Sequence, residues 1–168
     1  MARLEYVDTE NLSARGRELL EQNGHKNIFR MLAHSESHFR NYCRLGHAIR
    51  HRGELDPKLR ELAITLTGML CESEYEVIAH KRIAADVGVP AEQLAALETW
   101  RDAPVFTSLE RAVLQFTDQI VTTHRPDEAA FAAVQSALTP GALIELHLAV
   151  GYYVMTSKFL RGFDIDLQ

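Results

Sequence analysis

Glu76 and His80 stand four residues apart in the stretch LDPKLRELAITLTGMLCESEYEVIAHKRIAADVGVP. On a helix that spacing brings a carboxylate and an imidazole within hydrogen-bond reach of each other. A carboxylate beside imidazole stabilises the imidazolium and decides which ring nitrogen carries the proton, so the pair is equipped for acid/base work. The 3.6-residue period places Glu76, His80, Ile83, Ala84 and Val87 on one stripe, which predicts that both ionisable groups face the core, at the floor of a largely apolar pocket. Burying them is costly unless they pair or serve a purpose, and this marks the stripe as a candidate site. Tyr75 could add a phenolic donor at the pocket edge, and Glu61 a second carboxylate from the preceding helix. The same residues also admit a structural reading. Ser73 and Glu76 have the spacing of a capping box, and a buried Glu/His pair can simply knit a helix into its surroundings.

Other constellations offer less. Arg40, Arg44, His47 and His51 form a basic stripe. His47 and His51 have the i, i+4 spacing of two zinc ligands, but no third ligand is evident and cations crowd them, so a solvated or interface face is expected and no metal. His34 and His38 are split by the start of a new helix near Ser35. Glu145 and His147, at i, i+2, diverge. Cys43 and Cys71 lie outside any C-x-x-C arrangement and read as reduced, packed thiols. No phosphate-cradling loop, dinucleotide fingerprint or nucleophile elbow is present, so no cofactor is expected.

The elements that must position the Glu/His pair are helical throughout. Helix starts and stops recur along the chain, and no alternating apolar run flanks a hairpin turn. The reading is an all-α, multi-helix bundle of nine segments in one domain spanning 1–168, with N-terminal helices in 1–53, a core motif in 54–90 and C-terminal helices in 91–168. The first helix covers about Leu12 to Asn23, the second runs from Asn27 through IFRMLAH, and the third from near Ser35 to Gly53. Asp56 caps a helix with Pro57 at its first position, which fades near Gly68. The next opens at Ser73 and ends at Gly88, ahead of Pro90. Pro90 to about Trp100 is a short helix, and Thr107 with Glu110 forms a capping box for one reaching Thr123. Pro126 starts a further helix, and Thr139 with Pro140 the last, to about Arg161. Tyr152, Tyr153, Met155 and Phe159 line that helix and read as core or subunit packing. ELAITL at Glu61 and ELHLAV at Glu145 echo each other weakly.

The 168 residues, 46% hydrophobic and 24% charged, are ordinary for a globular chain. The net charge of −5 and the lack of a Lys/Arg run argue against nucleic acid and anionic membranes as partners. Apolar runs such as LHLAVGYYVM are short for a membrane span, and the first residues carry charge where a secretory signal would be apolar, so a soluble, cytoplasmic protein is expected.

Glu61, Ser73, Glu76 and His80 reproduce the spacing of a signature that reads Glu, eleven residues, Cys, two residues, Cys, three residues, His. The chain thereby resembles the carboxymuconolactone decarboxylase and alkylhydroperoxidase-D superfamily, in the branch with Tyr75-Glu76 before His80 and without the redox cysteines. The likeness runs from ENLSARGRELLEQNG through NIFRMLAHS and GELDPKLRELAI to ELHLAVGYYVMTSKFL. It implies the alkylhydroperoxidase-D-like helical fold and a homo-oligomer. It also implies a cofactor-independent proton transfer or decarboxylation on a small carboxylated or lactone substrate of aromatic catabolism, with His80, Glu76, Glu61 and Tyr75 as the catalytic set. Two alternatives stand beside it. One is an alkylhydroperoxidase-like antioxidant protein, disfavoured because Ser73 and Glu76 occupy the cysteine positions. The other is a non-catalytic helical scaffold.

Overall fold

Every regular element among residues 1–167, which the computed structural model describes, is helical. The α-helices are α1 (Ala14–Gln22), α2 (Asn27–Leu32), α3 (Glu36–His51), α4 (Pro57–Leu70), α5 (Glu74–Asp86), α6 (Ala91–Ala96), α7 (Ser108–Thr123), α8 (Glu128–Gln135) and α9 (Pro140–Gly162). Short 3₁₀ turns at Ala33–Ser35 and Leu97–Thr99 follow α2 and α6 directly. They occupy stretches that the sequence pattern assigns to the ends of those helices. None of the helices described is long and apolar enough to cross a membrane.

The chain divides into two compact units. The first comprises residues 1–51 together with residues from 159 onward. Its core gathers Leu12, Leu20, Ala33 and Phe39, with Phe29, Leu32 and Cys43 packed around them. Its N-terminal segment is tied down by the Arg3–Asp164 ion pair at 2.6 Å and by the Tyr6 hydroxyl donating to Asp166 at 2.9 Å.

The second unit, residues 52–158, is organised around α4. Ten consecutive residues of that helix, from Leu59 to Gly68, are buried. A helix apolar on every side belongs inside a protein, and α4 has a hydrophobic cluster on each flank. Leu59 and Ala63 join Val113, Phe116, Val134, Leu146 and Val150 on one side. Leu62 and Leu66 join Ala84, Leu97, Trp100, Phe106 and Leu114 on the other. Any polar side chain on α4 is therefore committed to the interior. Thr65 and Thr67 meet this by donating to the carbonyls of Glu61 and Ala63, one turn back. Arg60 and Glu61 have no such local acceptor or donor and must find partners in neighbouring side chains.

Local signals account for most helix ends. The Asp56 side chain accepts the backbone N–H groups of Lys58 and Leu59, with Pro57 at the first helical position. Both arms of the Thr107/Glu110 capping box form. Gly88 ends α5 with φ at +89°, in the left-handed region that glycine enters at little cost. Two starts differ from expectation. Pro126 lies ahead of α8, whose cap is Asp127, because its carboxylate accepts the Ala130 N–H at 2.7 Å. At Ser73, the N-cap of α5, the side chain makes no capping hydrogen bond. Its backbone N–H already donates to the Gly68 carbonyl at 2.8 Å, which leaves Glu76 no cap donor to accept.

Candidate functional site

The turn between α4 and α5 is tight, with Glu72 in the left-handed region at φ +52°. It folds α5 back along α4, and Gly68 lets the two helices close. A Cβ at position 68 would stand 3.2 Å from the Glu76 Cβ and 3.3 Å from the Val77 backbone nitrogen. This approach sets the Glu76 and His80 face of α5 against the buried Glu61 of α4.

His80 meets Glu61 first. Its Nδ1 lies 2.6 Å from Glu61 Oε2, and both side chains are buried, Glu61 completely. The other carboxylate oxygen, Oε1, accepts from Arg60 Nε at 3.0 Å, and Arg60 is itself buried. Burial pushes the Glu61 carboxyl up, but the hydrogen bonds and charges of His80 and Arg60 outweigh it and hold the group below its ordinary value. An ionised Glu61 can only accept, so Nδ1 is the donor and the tautomer is settled. Nε2 is then the ring nitrogen not engaged by Glu61. It faces Glu76 Oε2 at 3.4 Å, a charge-pair separation looser than the bond to Glu61. The Tyr153 ring packs edge-on against the imidazole, centroids 4.5 Å apart at 78°.

The structure thus brings Glu61, Glu76 and His80 together, with Glu61 rather than Glu76 as the close partner of the imidazole. Tyr75 is half-buried and, one residue from Glu76, lies on an adjoining face of α5. Ile83 and Val87, expected to be walled in with His80, are also only half-buried; the buried residues of α5 are Glu76, His80 and Ala84. Two members of the cluster escaped sequence reasoning. Arg60 was detectable as a cation inside the apolar run LRELAITLTGML, whereas Tyr153 reads as packing and comes to His80 only through the tertiary fold.

The remaining candidates lie apart from this cluster. His47 and His51 are exposed and lie against each other with centroids 4.9 Å apart and rings tilted by 49°. Among the described residues no group of three His, Cys, Asp or Glu side chains could hold a metal ion. Arg40 and Arg44 line a surface cleft of the first unit together with Arg15, Glu18 and Glu36. Cys43 is a free, half-buried thiol that burial pushes up to about 11, which makes it a poor nucleophile at neutral pH. Cys71 is also half-buried and in no disulfide. His147 is exposed, while Glu145 accepts the backbone N–H groups of Glu54 and Leu55.

Comparison with known proteins agrees with this fold. The chain is 29% identical over 121 residues to the uncharacterized protein YnjA of Escherichia coli K12, a match covering 71% of this chain and 66%, just under two thirds, of that relative. In fold it is similar to an alkylhydroperoxidase-core, peroxidase-related protein from Ralstonia eutropha, with a TM-score of 0.84 at 20% identity over 99% of this chain and 92% of the other. It is also similar to the debrominase Bmp8, solved as a cysteine-to-alanine variant in complex with 2,3,4-tribromopyrrole, with a TM-score of 0.83 at 14% identity over 100% and 94% of the two chains. At such identities these structures speak for the fold alone. The family model for carboxymuconolactone decarboxylases matches residues 36–119, half of the chain, and that span contains Arg60, Glu61, Ser73, Tyr75, Glu76 and His80. The chain belongs to the carboxymuconolactone decarboxylase family.

Proposed function

We propose that the protein is a cofactor-independent decarboxylase acting on a small carboxylated, unsaturated lactone, with His80 as the acid/base. The observation that carries this reading is the buried Glu61–His80–Glu76 line. Glu61 fixes the imidazole by its Nδ1–H, and Nε2 faces a second carboxylate. With Arg60 and Glu61 both charged, the cluster is neutral when His80 and Glu76 share one proton beyond the Nδ1–H, a charge balance that suits a buried relay. In the reaction the bond from the ring carbon to the carboxylate breaks and CO2 leaves. The electron pair moves into the conjugated lactone as a dienolate. His80, as the imidazolium, then delivers its Nε2 proton to ring carbon, and a proton from solvent passed through Glu76 restores it. Tyr75 is proposed as a phenolic donor at the edge of this site.

The competing peroxidase chemistry needs a thiolate that attacks peroxide and a second thiol that resolves it. At the two signature positions stand Ser73 and Glu76, neither of which can form a disulfide. Lactones of aromatic catabolism should therefore be decarboxylated, read as CO2 release, by the purified protein and not by His80→Ala. No peroxide should be reduced with dithiol reductants. Robust peroxide turnover that Cys71→Ser abolishes would reverse the assignment and move Cys71 into the site.

A homo-oligomer is part of the same proposal. Of the residues read as core or subunit packing, Tyr152 and Tyr153 are buried within the chain, whereas Met155 is exposed along α9 together with Ile144 and Leu148. Their spacing puts them on one stripe, with Gly151 leaving open space between, and a second copy of the chain could cover it. A monomeric mass by light scattering at micromolar concentration would count against this.

A further inference from the structure

Ser73 combines three features that a plain helix cap would not have. It is the N-cap of α5, yet its ψ is 89°. Ser13, Thr107 and Asp127, caps whose side chains do bond the helix, have ψ of 160°, 166° and 169°, and Asp56 has 127°. The hydroxyl is consequently off the backbone N–H groups it would otherwise accept. Second, Ser73 is 2% exposed and its Oγ has no hydrogen-bond partner. A buried hydroxyl left without a partner is unfavourable, and such a group calls for an explanation. Third, Ser73, Glu76 and His80 stand at i, i+3 and i+7, on one face of α5.

The cause lies in the turn before it. Glu72 takes the left-handed conformation, uncommon for a residue with a side chain, and the Ser73 N–H is bound to the Gly68 carbonyl. Together they aim the chain so that Ser73 enters α5 turned away from its cap geometry. The same left-handed residue and long backbone bond close α5 at Gly88 and Val89, so the turn is an ordinary helix stop; what calls for a ligand is the buried hydroxyl that it leaves without a partner. Two other buried hydroxyls, Thr117 and Ser157, also have no partner. They lie inside α7 and α9, where the carbonyl four residues back is within one rotamer, as Thr65, Thr67 and Thr156 use it. Ser73 has no preceding helical turn of its own to donate to.

We infer that the Ser73 hydroxyl is an oxyanion donor, hydrogen-bonding the lactone carbonyl oxygen on which negative charge gathers as CO2 departs. This rests on the decarboxylase reading proposed above. The placement suits the chemistry. Ser73 adjoins Glu76 on the helix face, with Cβ atoms of such neighbours about 5–6 Å apart, and is roughly 10 Å along the axis from His80. A small lactone can span that interval, with its protonated carbon toward His80 and its carbonyl toward Ser73. A donor aimed at developing charge acts mainly on the transition state.

The test compares wild type, Ser73→Ala and Glu76→Gln on the decarboxylated lactone. Ser73→Ala should lower kcat by about 10- to 100-fold with KM little changed, the loss of one hydrogen bond to a charged oxygen. Its pH profile should keep the wild-type shape, whereas Glu76→Gln should shift it. Its thermal midpoint should be unchanged or higher, because an orphaned hydroxyl has been removed. An unchanged kcat in Ser73→Ala, with wild type active and His80→Ala inactive, overturns this inference and leaves the proposed function standing. A thermal midpoint several degrees lower overturns it whatever the activity, since Ser73 would then be structural. A wild type that decarboxylates no lactone overturns both.

Discussion

Two stretches of this chain begin alike and end differently. ELAITL opens at Glu61 on α4 and ELHLAV at Glu145 on α9, each a turn or so after a proline that starts its helix. Glu61 is fully buried and faces the movable proton of an imidazole and a guanidinium. Glu145 turns outward from α9 to the chain before α4. There a single carboxylate oxygen accepts the Glu54 and Leu55 N–H groups at 2.9 and 2.8 Å. Gly53 makes room for it, since a Cβ there would lie 2.3 Å from that oxygen. Backbone amide protons do not leave in a reaction, so Glu145 can only hold the chain in place. A carboxylate on imidazole can orient a proton that moves. The local pattern is the same, and the partner opposite determines which carboxylate can take part in chemistry.

The comparison is tested most severely at His80. His80→Ala should lower kcat for lactone decarboxylation by roughly two to four orders of magnitude while far-ultraviolet circular dichroism stays unchanged. If a verified activity survives the substitution, Glu61 and Glu145 are both structural and the contrast fails.

Glu61→Gln comes next. It leaves Arg60 and His80 buried beside a neutral amide, and breaking a buried ion pair in this way costs about 3–5 kcal/mol. Urea unfolding should register most of that loss at pH 7. The pH dependence has a definite sign. The folded Glu61 carboxyl lies below its ordinary value of 4.5, so its contribution is complete above that pH and disappears as the pH falls through the lower folded value. Denaturation midpoints measured from pH 7 down to pH 3 should therefore fall less steeply in Glu61→Gln than in wild type. An equal acid slope in both would mean that Glu61 is not held ionised by its partners.

Glu145→Ala should cost less, about 1–3 kcal/mol for backbone N–H groups that lose their acceptor at a partly solvated site. Decarboxylation by the folded variant should match wild type. A fall in kcat comparable to that of Glu61→Gln would place Glu145 in the machinery after all. The smallest effect belongs to a purely local signal. Thr107→Ala removes one arm of the α7 capping box and should lower stability by about 1 kcal/mol, read as a shift in urea midpoint without a change in slope or activity.

The residues that were legible in advance are those whose partners lie within one turn. Asp56 ahead of Pro57, the Thr107/Glu110 box and the Gly88 stop depend on backbone groups two to five residues away, and each forms as its spacing predicts. The i, i+4 relation of Glu76 and His80 is equally local, and it puts both on the buried face of α5. The same logic misreads Ser73 and Glu76 as a capping box, because a partner beyond the helix intervenes. The Gly68 carbonyl takes the Ser73 N–H, and the close approach of α4 turns Glu76 toward His80.

By itself, then, the sequence determined the helical class, most helix ends and the stripe that carries Glu76 and His80. These follow from the 3.6-residue period and from hydrogen bonds a few residues long, which any chain segment can satisfy on its own. Only the tertiary structure decided that Glu61 is the partner of His80, that Arg60 balances Glu61 inside the core, and that Tyr153 covers the imidazole. Those contacts join residues up to 73 positions apart. They exist because α4 is buried on every side, so its charged residues can be satisfied only by one another and by what the neighbouring helices bring to them.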